Sequence, residues 1–266
     1  MMRLFFTLSL LAVSSANFDR FMNFVKLYNK EYHSENELMK RYEIFMENIK
    51  FIENENSLQR NYTLGETIFA DLTQGEFKER FSKIGTSRTC EKYSQNVQSV
   101  PDMMDWREKN AVTDVKDQGQ CGSCWSFSAT GSMEGAWSIS KGELVSLSEQ
   151  QLVDCSAGFE YGNHGCNGGL MDGAFRYAIN NGMCKESDYT YTAKDGECHT
   201  CDAVVTISSC EDVPANDQQK LKEAVSVGPV SVAIEADTKT FQLYTGGVLT
   251  SSSCGTNLDH GVLVVG

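Results

Sequence analysis

The chain has 266 residues, 41% of them hydrophobic, with ten cysteines and a formal charge of −13 at neutral pH. That length allows two domains with real cores, and so acidic a body argues against nucleic acid or anionic membrane as a partner. The charge is unevenly placed, since residues 17–100 hold 12 basic and 13 acidic side chains while residues 101–266 hold 10 and 23.

Residues 1–16 read as a secretory signal peptide. They have a basic start at Met1-Met2-Arg3, an apolar run from Leu4 to Val13, and a small-residue cleavage site at Ser14-Ser15-Ala16. The apolar run is too short to span a bilayer, and no later stretch is long enough. Ten cysteines on an exported chain predict disulfides. Phe18, Phe21, Met22, Val25 and Tyr28 predict one face of a first helix. Leu38, Tyr42, Phe45, Ile49 and Ile52 step by threes and fours along a second helix over residues 36–56. On it Glu37 precedes Arg41 by one helical turn, the favourable order for an ion pair. Asn61-Tyr62-Thr63 is a glycosylation sequon. Residues 85–100 are polar with few apolar anchors and read as an extended linker open to proteolysis. A new segment begins at Val100-Pro101-Asp102-Met103-Met104-Asp105-Trp106-Arg107, with a cut expected between Gln98 and Met103.

The stretch Gln118-Gly119-Gln120-Cys121-Gly122-Ser123-Cys124-Trp125 carries the chemistry. Trp125, Ala129, Met133 and Trp137 recur at helical spacing, which puts Cys124 at a helix N-terminus. Free N–H groups and the helix dipole there favour a thiolate over a thiol. Asp259-His260-Gly261 offers a proton acceptor. Three other readings compete. A redox C-x-x-C pair would want a preceding strand and a proline-containing partner loop. Half of a zinc site would need a second half, for which Cys198-x-x-Cys201 is the nearest candidate. Two cysteines that only make disulfides are the plainest alternative.

Further on, Ser148 and Gln151 form a predicted capping box for a short helix to Cys155. A glycine-rich loop covers residues 161–169. A third helix over residues 170–180 is expected to bury Met171, Ala174, Phe175, Ala178 and Ile179 and to stop at Gly182. Residues 204–207, 230–234, 241–244 and 262–265 read as strands, and a helix capped by Asn216 and ended by Gly228-Pro229 lies between them. Helices first and strands afterwards predict an α+β body of two unlike subdomains with a cleft between.

Cys121-Gly122-Ser123-Cys124-Trp125 resembles the signature of the papain/cathepsin L family of cysteine peptidases. The resemblance runs from about Asn17 to the last residue. Glu37, Arg41, Ile44, Phe45, Asn48, Ile52 and Asn56 match every position of the interspersed signature of cathepsin L-like prosegments. Gly65 to Asp71 resembles the family's second prosegment motif, G-x-N-x-F-x-D, with Thr67 in place of the asparagine. The resemblance implies a papain-like fold, with a helical left subdomain and a β-barrel-like right subdomain truncated at its C-terminus, preceded by an α-helical prodomain. The divisions are a signal peptide at 1–16, an inhibitory propeptide at 17–100 and a peptidase domain at 101–266. The chain stops six residues after His260, where the family continues with the asparagine that orients the histidine and the tryptophan that shields it.

The implied function is a cysteine endopeptidase made as a zymogen. Cys124 would be the nucleophile, His260 the acid–base partner in a resting thiolate–imidazolium pair, and Gln118 an oxyanion donor beside the Cys124 N–H. Asn167, Gly168 and Gly169 would align the substrate strand. Leu170, Met171, Ala233 and Leu258, with Asp259 beside them, would line a pocket for an apolar side chain two before the scissile bond. Cys121 would pair with Cys166 and Cys155 with Cys198, Cys184 and Cys201 would form an additional bridge, and Cys90 and Cys210 have no evident partner. Cys254 matches a position whose partner lies further along. Asn61 is the glycosylation candidate, and His33, His164 and His199 match no catalytic position. No insertion of the kind that blocks the cleft of carboxydipeptidases stands near Cys155 and Cys166. No metal or cofactor is implied. The partners are peptide substrates and the chain's own propeptide, the state is monomeric, and the location is a lysosome-like compartment or the extracellular space. The competing function is a non-catalytic relative or fragment acting as a prosegment-type inhibitor of sister peptidases.

Overall fold

The structure is a computed structural model that describes residues 2–80, 84, 90–95, 97, 99–250 and 254–266, with the backbone alone for residues 2–14. The Gln98 end of the expected cut and residues 85–89 of the expected linker lie outside the described residues. The helices are α1 (Met2–Leu27), α2 (Glu35–Ser57), α3 (Gln74–Lys78), α4 (Cys124–Lys141), α5 (Glu149–Cys155), α6 (Met171–Asn181), α7 (Gln218–Val227) and α8 (Lys239–Gln242). The strands are β1 (Tyr62–Leu64), β2 (Glu91–Lys92), β3 (Glu211–Asp212), β4 (Val230–Ile234), β5 (Tyr244–Gly247) and β6 (His260–Val264). They pair as β1 with β5, β2 with β3 and β4 with β6. Among the described residues, no helix is long and apolar enough to cross a membrane.

Two compact units result. The first joins residues Met1–Glu79 to Ala236–Gly255, and the second joins Arg80–Glu235 to Thr256–Gly266. The first helices thus pack in one unit with a segment from late in the chain.

In the first unit Phe21, Phe24, Phe45, Ile49, Ile52, Tyr62, Leu64 and Leu243 make the core. The α1 face differs from its sequence reading: Phe24 is buried and Met22 lies exposed, because Phe24 is the residue whose ring meets Phe45, at 4.9 Å between centroids. Arg41 also differs. Its guanidinium reaches Glu76 Oε2 at 2.8 Å and the Asp71 carbonyl at 3.2 Å, while Glu37 accepts the N–H of His33 at 2.8 Å. The partner across the fold outcompetes the one on the same helix. Thr67 donates to the Gln242 carbonyl at 2.8 Å, so a hydroxyl keeps a polar tie at the motif position that the asparagine holds elsewhere. Asn48 closes the same region by donating to the carbonyls of Ala70 and Leu72. The reciprocal capping box falls at Thr73–Glu76, on α3. At α5, Ser148 caps Gln151 N, but the Gln151 side chain serves Tyr177, Gly182 and Cys184 instead of returning to the cap. Residues 241–244, expected as a strand, hold the end of α8 and the start of β5, because Thr238 caps the N–H of Phe241 and starts a helical turn.

The second unit is built on α4. Trp125, Ala129 and Met133 are buried against Leu147, Leu152, Ala174, Tyr177, Ala178, Met183 and Val205. In α6, Tyr177 is fully packed, while Phe175 sits at the edge of the core. Residues 204–207 supply only an isolated bridge, Met183 to Val205. The cap of α7 is Asp217, whose carboxylate accepts Lys220 N–H, and Asn216 takes a left-handed turn with φ of 60° before it. Gly135 lets α4 approach Pro229, since a Cβ there would lie 2.6 Å from its ring.

Buried charge ties α4 to α5. The Lys116 ammonium sits 2.9 Å from Glu134 and 2.6 Å from Glu149, both 1% exposed, and Thr130 donates to Glu149 at 2.6 Å. One ammonium shared by two carboxylates cannot fully offset the cost of burying both. Burial pushes the Glu149 carboxyl up to about 7 despite the lysine, with Glu134 adding to the push. A carboxyl whose folded pKa is raised binds a proton more readily folded than unfolded, so its contribution to stability falls as pH rises through about 7. Glu149→Gln, which imitates the protonated form, is expected to match the parent near pH 5 and to exceed it above pH 8. Thermal unfolding midpoints at the two pH values check this, and parallel curves for parent and variant would refute it.

Candidate active site

The site is a meeting of α4 and β6. In the β4–β6 ladder, Ile234 stands opposite His260 and Ala233 opposite Gly261. Gly261 then lies against the first turn of α4. A Cβ on it would sit 3.3 Å from the Cys124 carbonyl oxygen, from Trp125 Cα and from Met171 Sδ, so glycine is the residue that permits the approach. Its N–H donates to Cys124 Sγ at 3.4 Å, so the strand backbone that carries His260 meets the thiol.

Cys124 is 2% exposed. Burial pushes its thiol up, while the N–H groups of Gly261, Trp125 and Cys124 itself pull it down, and the charge of Asp259 adds to the push; the balance is upward. The sulfur thus faces the donors of a helix start, as the sequence predicts, but in a dry place. His260 is half-buried, and burial lowers its imidazole to about 4. A resting ion pair is the expectation from sequence. Here burial works against both charged forms, raising the thiol and lowering the imidazole.

Two residues near the end of the prosegment lie along this site. Arg80 donates to the Gly119 carbonyl at 3.2 Å, and the N–H of Ile84 donates to the Leu258 carbonyl at 3.3 Å. Ile84 is 8% exposed. One contact falls on the loop before the nucleophile and the other on the residues before His260.

The other candidate residues occupy varied settings. Gln118 Nε2 donates to the Cys121 carbonyl at 2.8 Å, which fixes the amide plane with one of its two hydrogens. Asn167 ends a short 3₁₀ turn and is exposed, and Gly168 has φ of 109°. Gly169 packs on the Trp125 ring, 2.7 Å from where a Cβ would stand. Leu170 is the N-cap of α6 and Met171 its buried first residue. Ala233 faces the core, Leu258 is 37% exposed and Asp259 is buried, with its N–H on the Ile234 carbonyl. His33, His164 and His199 are exposed. Asn61 is exposed in the first unit.

Cys121 is bonded to Cys166, Cys155 to Cys198, Cys184 to Cys201 and Cys90 to Cys210. The last bridge corrects the sequence reading, which left both residues without partners. Cys124 and Cys254 keep free thiols. Neither the redox nor the zinc reading of Cys121-x-x-Cys124 fits, because Cys121 is committed to Cys166.

One residue was missed. Tyr191 hydroxyl donates to the Gln118 carbonyl at 2.8 Å and stands 2.6 Å from Ser123 Oγ, while its ring meets Phe127 edge-on. It braces the loop on one side of Cys124 against the residue just before it. A lone tyrosine in a loop carries no periodic or motif signal, so sequence reasoning had nothing to find it by.

A thiol at a helix start, held by the N–H that follows a strand-borne histidine, defines the class of thiol–imidazole proteins. Residues 100–266 match the papain family cysteine protease domain, and residues 21–77 match the cathepsin propeptide inhibitor domain. The chain is 50% identical over 249 residues to the probable cysteine protease RD21C of Arabidopsis thaliana, covering 89% of this chain and 54% of that protein. It is 45% identical over 264 residues to the senescence-specific cysteine protease SAG39 of Oryza sativa subsp. indica, covering 96% and 76%. The chain therefore spans about half the length of the first of these relatives. Among solved structures, the recombinant stem bromelain precursor superposes with a TM-score of 0.86 at 36% identity, over 94% of this chain and 82% of that one. Digestive procathepsin L 3 of the Tenebrio molitor larval midgut gives 0.85 at 38%, over 94% and 83%. The chain belongs to the papain family of cysteine proteases and carries a cathepsin-type propeptide inhibitor domain.

This bias against the charged forms has a measurable signature. In the intact precursor, alkylation of Cys124 by iodoacetamide is expected to be slow from pH 5 to 8 and to accelerate only above the ordinary thiol range. Fast, pH-independent labelling in that interval, followed by mass spectrometry of the Cys124 peptide, would show a standing ion pair instead.

Proposed function

We propose that this chain is the zymogen of a cysteine endopeptidase. The observation that carries the reading is the Cys124 sulfur on the first N–H groups of α4, held by the N–H next to His260. A peptide carbonyl is attacked by the thiolate once His260 has taken its proton. The same imidazolium then protonates the leaving amine, and water hydrolyses the thioester. The Cys124 N–H and the second amide hydrogen of Gln118 serve the developing oxyanion. Gly168 and Gly169 present backbone to the substrate strand, and Leu170, Met171, Ala233 and Leu258 favour an apolar side chain two before the scissile bond.

In the precursor, Arg80 on Gly119 and Ile84 on Leu258 hold chain along the site and limit its water. Removing them restores water, and with it the ion pair that makes the thiol a nucleophile. Acid assists. With a folded value of about 4 against 6.5 for free histidine, His260 is more readily protonated in any state that uncovers it, so the covered form loses ground as pH falls between those values. The four disulfides, together with the basic, apolar and small-residue pattern of residues 1–16, support passage through the secretory pathway to a lysosome-like compartment or the outside. Asn61, exposed in its sequon, is the glycan site of this reading.

The test uses the full-length precursor. After prosegment removal it is expected to cleave internal bonds of peptides with leucine or phenylalanine two before the cut, and an epoxide thiol reagent should label Cys124 stoichiometrically. Gln118→Ala should lower acylation by roughly 10²–10³ with little change in substrate affinity. Label on Cys254 alone, with hydrolysis surviving Cys124→Ala, would overturn the assignment.

The prosegment has its own acid-sensitive tie. Burial works against ionised Glu76, yet the Thr73 N–H and the Arg41 guanidinium hold its carboxyl below the usual range. Stability from a depressed carboxyl is present above its unfolded value and is lost as pH falls through the folded one. Glu76→Gln, which imitates the acid form, is expected to cost the first unit about 1–3 kcal/mol and to let the precursor activate at a higher pH. An activation profile superimposable on the parent's would remove Glu76 from the trigger.

A further inference from the structure

The Cys90–Cys210 bridge joins two parts of the chain that maturation would separate. Cys90 lies after the propeptide inhibitor domain, which matches residues 21–77, and before the protease domain, which matches residues 100–266. Cys210 lies inside the protease domain. The bridge is the first link of a built contact. Glu91 and Lys92 pair in parallel with Glu211 and Asp212, the Glu91 N–H donates to the Cys210 carbonyl at 3.0 Å, and the Tyr93 N–H donates to the Asp212 carbonyl at 2.9 Å. Tyr93 is 8% exposed, and Ser94 Oγ and Gln95 Nε2 both donate to Glu211. The stretch expected to be a loose linker is therefore pinned at residues 90–95.

Beyond that contact the chain is open. Ser99, Pro101 and Asp102 are exposed and Met103 is 88% exposed, until Trp106 anchors the body through its Nε1 on the Val225 carbonyl at 2.7 Å. These exposed residues between Cys90 and Trp106 offer a protease accessible bonds on the C-terminal side of Cys90.

We propose that Cys90–Cys210 is a covalent clasp that keeps the prosegment on the peptidase domain after the activating cut. Hydrolysis of a peptide bond between residues 99 and 103 makes two chains but leaves the S–S bond whole, so the inhibitor stays tethered. A tether keeps its partner at an effective concentration on the order of millimolar whatever the dilution, and raises apparent affinity by about 10²–10⁴. Release then needs a second event, the two-electron reduction of the bridge. A dithiol attacks one sulfur, the mixed disulfide is resolved by the dithiol's second thiol, and the products are the Cys90 and Cys210 thiols and the cyclised, oxidised dithiol. A reducing environment, which Cys124 needs for its own chemistry, would thus also unlock the prosegment.

The clasp rests on the zymogen reading, but its first test needs no activity. The full-length precursor, with Cys124→Ala to prevent self-digestion and a site-specific protease sequence placed over residues 99–103, is cut and denatured without thiol. Expected is one disulfide-linked species, which dithiothreitol splits into two chains, with a Cys90–Cys210 linked peptide found by mass mapping of the uncut parent. Two chains parting without dithiothreitol would overturn the clasp, as would a map with Cys90 unbonded. The second arm uses active precursor cut at the same place. Its hydrolysis should stay latent through a 100-fold dilution, a change on the order of the tethering advantage, until dithiothreitol is added, whereas the Cys90→Ser/Cys210→Ser pair should gain activity on dilution alone. A bridged enzyme that activates on dilution, or native processing that cuts before Cys90, would likewise overturn it.

Discussion

The contact between Gly261 and the first turn of α4 is the constraint on which the site depends. It is a backbone contact: a strand residue without a side chain places its N–H on the Cys124 sulfur. Every other element of the second unit can be read as support for that approach. Ser128 Oγ bonds the Val262 carbonyl at 2.8 Å, so α4 and β6 are fastened one turn further on. Ser231 Oγ bonds the Ser128 carbonyl at 2.6 Å, which fastens β4 to the same helix. Small residues on α4 make this possible, since a Cβ at Gly131 would meet the Leu263 side chain at 2.8 Å. A helix with larger residues on that face would stand off the strand and carry the thiol away from the imidazole.

The same dryness that protects the site also silences it. A nucleophile must be charged to attack, and charge is costly where water is excluded. In this structure burial works against the charged form of both groups. The helix N–H groups then act as a standing bias toward the thiolate, felt once solvent can share the cost. Geometry is thus set by a backbone contact, while ionisation depends on how much water reaches the pair.

Much of this was legible in the sequence, for local reasons. Cys124 could be placed at a helix start from the spacing of Trp125, Ala129 and Met133, and those three residues are indeed buried on one face. The prosegment helix was readable from Phe45, Ile49 and Ile52. What escaped was decided by partners distant in sequence. Arg41 has an acid one turn away and still goes to Glu76, and nothing in the spacing of Cys90 points to a residue 120 positions on. The α8 error is different in kind. Thr238 caps a helical turn there, and the apolar residues from Phe241 to Tyr244 alone do not reveal it. Met22 and Phe24 show how little a phase error takes, because both fit a helical face and only the position of Phe45 decides between them.

The first unit takes residues Ala236–Gly255 from late in the chain, and this has a consequence for cooperativity. β5 is half of a sheet with β1, and Leu243 is fully enclosed in a core of phenylalanines from α1 and α2. One hydrophobic core therefore joins stretches far apart in sequence, so a substitution that loosens α1 or α2 would be felt at β5, and the two stretches gain or lose order together.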